Sequence, residues 1–128
     1  MATVDATPTD QYPELANLSS AQTGNGVSTN VADRGGTTSV ALIKITTTIG
    51  ATPTCTYALE GSPDGTNWFS VAYADSATPT TVSVATFAIT TATTVWKIVQ
   101  ANVPVRYLRI TYSANTNVTN TADVTTFA

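Results

Sequence analysis

The chain has 128 residues, which sets an expectation of one domain around a single buried core. Its net charge of −3, with Arg34, Lys44, Lys97, Arg106 and Arg109 as the only strong cations, excludes sequence-independent nucleic-acid binding, which needs clustered Lys and Arg to displace counterions from phosphates. With no His, one Cys and eight dispersed carboxylates, the usual residue sets for nucleophilic, zinc or acid–base catalysis are missing; the expectation is no enzyme activity, no cofactor and no metal.

Twenty-eight residues are Thr, about a fifth of the chain. Thr is β-branched and suits the faces of sheets, while Leu, Glu, Lys and Arg, the main helix formers, are scarce. This excludes an all-α fold. No apolar run approaches the roughly 20 residues of a membrane helix, so no membrane partner is expected. The start Met1-Ala2-Thr3-Val4-Asp5 lacks the basic and apolar stretches of a secretion signal, and synthesis in a cytoplasm is expected.

Residues 1–30 are polar, with Thr-Pro, Tyr-Pro, Thr-Gly and Asn-Gly steps and no sustained period. They read as an extended N-terminal arm ahead of a β-sandwich over 31–128. Ordering 30 residues costs roughly 1–2 kcal/mol each in backbone entropy, more than the arm's three sizeable apolar groups, Tyr12, Leu15 and Leu18, can offset on a free monomer. These three are therefore the expected assembly contacts, inserted between subunits.

From about Thr37 short strand-like runs alternate with turn signals: 38–48, 54–61, 67–74, 81–90, 93–100, 104–113 and 117–127. In the second run Cys55, Tyr57 and Leu59 share one face, so Cys55 reads as a buried core thiol. Ser62-Pro63-Asp64-Gly65 has the residues of a type I turn and predicts a hairpin. Leu108, Ile110 and Tyr112 alternate against Tyr107 and Arg109 in the late run, which Pro104 opens either at an edge or as its first residue. No run of 10 or more residues has a helical period, so parallel βαβ units are not expected. The expected fold is all-β: an antiparallel two-sheet β-sandwich of jelly-roll or discoidin-like type.

Trp68, Trp96, Tyr73 and Tyr107 have the chemistry of an aromatic platform for sugars, but a sandwich core needs one or two Trp, and core packing is the expectation for Trp68, as for Leu108. Asp64, Asn67 and Asp75 lack the dense spacing of calcium loops, and turn chemistry explains Asp64. Glu60 and Asp64 are close in sequence, as two of any eight carboxylates will be. Arg34-Gly35-Gly36 has no helix after it and reads as a loop, not a phosphate cradle.

The segment Tyr57-Ala58-Leu59-Glu60-Gly61-Ser62-Pro63-Asp64-Gly65-Thr66-Asn67-Trp68, with the later Val105-Arg106-Tyr107-Leu108-Arg109-Ile110, resembles a loose group of small bacteriophage virion proteins. There a hairpin of this kind and a later strand of this kind occur in one sandwich domain; the resemblance covers about residues 38–127. It implies a virion structural role, foremost a capsid decoration or cement protein on the outer capsid surface. The implied partners are the major capsid protein and copies of the chain itself, as a dimer or trimer. Discoidin-like carbohydrate-binding modules use a similar pattern, so a carbohydrate- or receptor-binding module of a phage tail or baseplate is the alternative. The resemblance carries over no catalytic residues.

Overall fold

Two long strands organise the molecule. The computed structural model describes residues 2–7, 14–35 and 39–127. In chain order its strands are β1 (Ala2–Asp5), β2 (Glu14–Gln22), β3 (Gly26–Val27), β4 (Asn30–Asp33), β5 (Val40–Ser62), β6 (Phe69–Ser70), β7 (Tyr73–Asp75), β8 (Val82–Ser83), β9 (Phe87–Ile89), β10 (Thr94–Val99) and β11 (Tyr107–Phe127). No helix occurs among the described residues, as the composition predicts. β5 and β11 run antiparallel along their whole length, from Tyr107 opposite Ser62 to Phe127 opposite Val40.

The runs expected at 38–48 and 54–61 are thus one strand of 23 residues, and those at 104–113 and 117–127 another of 21. The segments between them read as breaks; they are the corner where the ribbon folds over. Between Ile49↔Val118 and Thr54↔Thr116, β5 spends residues 50–53 where β11 spends only Asn117, a large bulge that bends the pair. Thr52, Ala114 and Asn117 adopt positive φ there. Asn117 Nδ2 donates to the Ala51 carbonyl (2.6 Å), and the Asn115 side chain accepts from the Val118 amide and donates to its carbonyl, so side chains replace the interrupted ladder.

The corner creates two facing layers within one hydrogen-bonded sheet. The first contains β2, the C-terminal half of β11, the N-terminal half of β5, β10, β7 and β8; the second contains β1, β4, β3, the other halves of β11 and β5, β6 and β9. The sheet is mixed: β1 pairs parallel with β4, so the expectation of an antiparallel sandwich holds for every pair but this one. Ala41, Ile43 and Ile45 of one half of β5 and Cys55, Tyr57 and Leu59 of the other are all buried, as are Leu108, Ile110, Tyr112, Val118, Ala122 and Val124 of β11. Cys55 and Leu108 lie where the alternation places them. Gly61 is needed at its place, since a Cβ would stand 2.7 Å from Val71 Cγ1 and 2.8 Å from Val105 Cγ2.

Polar pins cross the core. Tyr57 Oη donates to Asn120 Oδ1, Asn120 Nδ2 approaches Cys55 Sγ, and Tyr112 Oη donates to Ser19 Oγ (2.9 Å). Burial pushes both phenols up, Tyr112 to about 12, so they remain protonated donors. Tyr57 stacks on Phe87 at 5.1 Å and meets Tyr112 edge-on. Next to the same Phe87 ring, buried Lys97 pairs with Asp75 and lies over the rings of Phe87 (4.3 Å) and Tyr73 (5.6 Å).

The expectation of an arm separate from a 31–128 domain is corrected. β2 is hydrogen-bonded to β11, β1 to β4, and Ala16 and Leu18 belong to the same core as β5. The polar composition misled because an edge strand needs apolar residues on one face only, and Ala16 and Leu18 supply them. Deleting residues 2–20 should therefore abolish the cooperative unfolding transition. Leu108→Ala should cost about 2–5 kcal/mol in urea denaturation, and Tyr57→Phe, which leaves Asn120 without its buried donor, about 1–3 kcal/mol.

Candidate functional site

The hairpin expected at Ser62-Pro63-Asp64-Gly65 joins β5 to β6, with Gly61 opposite Phe69. Ser62 Oγ accepts from the Gly65 amide (2.8 Å) and donates to Asp64 Oδ1 (3.0 Å). Asp64 in turn accepts from the amides of Thr66 (2.8 Å) and Asn67 (2.9 Å) and from Asn67 Nδ2 (2.8 Å). Those donors, the backbone amides foremost, hold the Asp64 carboxyl well below the usual carboxylate range. Gly65 takes φ +80°, which an L side chain rarely adopts, and lies against the Tyr107 ring.

The loop delivers Trp68 to the side of the second layer. There the Arg109 guanidinium carbon lies 4.1 Å from the Trp68 ring centroid, and Arg109 Nε donates to Glu60 Oε1 at 2.8 Å. Glu60 stands directly opposite Arg109 across the β5–β11 ladder and also accepts from Thr111 Oγ1 at 2.6 Å. Beside this stack Arg106 makes a two-pronged pair with Asp33 (2.8 and 3.0 Å) and packs 5.2 Å from the Tyr107 ring. Arg106 holds the Asp33 carboxyl below its usual value. Between the loop and the β1–β4 pair is a cleft of about 400 Å³, lined by Thr3, Val31, Asp64, Gly65, Trp68, Tyr107 and Arg109.

Trp68 is thus half-buried in a cleft wall, a correction to its expected place in the core: the register that puts Glu60 opposite Arg109 also puts a guanidinium where the indole would otherwise need apolar neighbours. Of the four candidate platform aromatics only Trp68 and Tyr107 come together. Tyr73 is buried, with its hydroxyl donating to the Ala85 carbonyl, and Trp96 lies on the first layer under Lys44. Asp64 and Asn67 meet in the hairpin, whereas Asp75 is with Lys97; no metal-holding group of carboxylates and thiols forms among the described residues. Arg34 is turned inside, where burial lowers its pKa, and Gly36 lies outside the described residues.

The three expected assembly contacts separate. Tyr12 lies outside the described residues, and Leu18 is fully buried in the chain's own core, which corrects its assignment as an intersubunit contact. Leu15 is 67% exposed on the outer face of the first layer. It stands opposite Thr125, which stands opposite Leu42, then Ile98, Ala74 and Val82, one row across six strands. Directly opposed residues project to the same side, so this row is a mostly apolar belt. Its ends, Leu15 and Val82, are exposed, and Phe127 and Trp96 border it. Sequence reading found Leu15 but not the belt, since the six residues come from six strands and meet only through register.

Asp33 and Asp64, depressed in the folded state, contribute stability above the ordinary value of 3.8 and lose it as pH falls through their folded values. The urea midpoint should therefore be level from pH 7 to about 5 and fall below about 4. In Asp64→Ala the fall should be shallower, as measured by urea titrations across the pH range.

No protein-family model and no curated protein sequence matches the chain. In fold it is similar to the crystal structure of the SPBc2 prophage-derived protein YomS, with a TM-score of 0.61 and 6% identity over 94% of this chain and 99% of that one. At that identity the likeness is one of fold, and it extends over both layers and nearly the whole of the prophage-derived protein.

Proposed function

We propose that the chain is a bacteriophage structural protein that decorates the outer surface of the capsid and stabilises the head, attached through the outer face of its first layer. The observation that carries this reading is the apolar belt from Leu15 through Leu42 and Ile98 to Val82, an outward row in which Ala74 is buried, Leu42 and Ile98 are partly exposed and the ends, Leu15 and Val82, are exposed. Apolar rows of this length on a sheet face suit a protein partner. A prophage-derived protein that shares the fold end to end supports a phage setting. The partners in this reading are the major capsid protein and further copies of the chain, on the virion.

The test mixes the protein with capsids assembled without it. Leu15→Glu combined with Ile98→Glu should keep the wild-type far-UV spectrum and melting transition, because both side chains point outward, while capsid occupancy falls about tenfold or more. Undiminished occupancy in a particle reconstruction would place the attachment elsewhere on the molecule.

A further inference from the structure

The cleft at the edge of the second layer has a chemistry that the decoration reading leaves unused. Its cation is already paired within the chain, Arg109 with Glu60, as is neighbouring Arg106 with Asp33, while Asp64 is held by neutral donors. An incoming phosphate or carboxylate would find no uncommitted cation in the cleft wall. Hydrogen-bonding capacity nevertheless remains. Arg109 spends its Nε on Glu60 and keeps 18% of its side chain exposed, with its terminal nitrogens as donors. Asp64 Oδ2 accepts one bond, from Asn67, and has a second lone pair. Thr3 adds a hydroxyl, and Trp68, Tyr107 and Val31 add apolar wall.

A fixed donor beside a fixed acceptor, with aromatic surface next to both, matches a ring bearing neighbouring hydroxyls, which donates one proton and accepts another while its C–H face lies on carbon. The volume of about 400 Å³ falls at the lower end of the range for small-ligand sites, the size of one or two such rings. We infer that this cleft binds a neutral saccharide, with Asp64 and Arg109 holding adjacent hydroxyls and Trp68 and Tyr107 framing the ring. The site is pre-organised, since the hairpin is locked by Ser62 and Asp64 and the guanidinium by Glu60 and the indole. It faces away from the belt of the first layer, so the inference stands apart from the capsid-binding proposal.

Tryptophan fluorescence tests it directly, because the chain has two Trp and Trp96 lies on the other layer. In Trp96→Phe, Trp68 is the sole reporter. Titration with galactose, glucose, N-acetylglucosamine and rhamnose should give a saturable change with at least one sugar, and sodium phosphate should give none. Trp68→Phe, which keeps Trp96, should show no change. In the Trp96→Phe background, Arg109→Lys, which retains the charge but loses the planar fork, should weaken binding about tenfold with the melting transition kept. If that variant fails to fold, Thr3→Val should weaken binding severalfold. A flat response to all four sugars up to about 100 mM, saturation by phosphate instead, or an equal response in Trp68→Phe would overturn the assignment.

Discussion

The pairing of β5 with β11 is the constraint on which the remaining structure depends. Both strands keep their inward phase through the corner: odd positions of β5 are buried on either side of it, and even positions of β11. Because the same face stays concave, folding the ribbon over on itself brings two apolar faces together without any strand changing sheets. A corner that shifted the phase by one residue would expose Tyr57 and Leu59 while burying Thr56 and Ala58. The extra residues 50–53 on β5 let it take the longer path round the bend and still return in phase. The short strands then add to whichever half offers an edge.

Hydrophobic area alone does not dictate how the two layers sit, because apolar contact is not directional. The polar pins are directional. Tyr57 with Asn120 and Tyr112 with Ser19 link one layer to the other, each at a single geometry, and each would leave a buried group unsatisfied if the layers slid. Lys97 pairs with Asp75 within the first layer and reaches Phe87 of the second, so its ammonium lies between a carboxylate and two aromatic rings. A core this rich in β-branched and small side chains gains uniqueness from such contacts.

The molecule presents two unlike surfaces as a result. On the first layer directly opposed residues make a row whose members are largely apolar. At the edge of the second layer guanidinium groups lie on aromatic rings and are fixed by carboxylates. None of the five strong cations is left as a free basic patch: Arg34 is buried, Lys44 lies over Trp96, and Lys97, Arg106 and Arg109 are paired with carboxylates. The paucity of charge in the sequence is therefore made sharper by the fold.

Strand-forming composition, the burial of Cys55, Tyr57 and Leu59, the outward face of Tyr107 and Arg109, and the hairpin at Ser62–Gly65 were all determined by the sequence. Each is a local matter, decided by β-branching, a period of two, or turn residues within four positions. The continuity of β5 and β11 was not legible, because Gly50-Ala51-Thr52-Pro53 carries the same local signals whether it ends a strand or bends one. The place of residues 14–22 was hidden for a related reason: an edge strand with two inward apolar residues looks like a polar arm until its partner, β11, supplies the opposing face. Tertiary structure decided the belt and the cleft. Leu15 meets Leu42 through Thr125, and Trp68 meets Arg109, because a register spanning the whole chain aligns them, and register is the sum of many weak pairings that no short stretch of sequence contains.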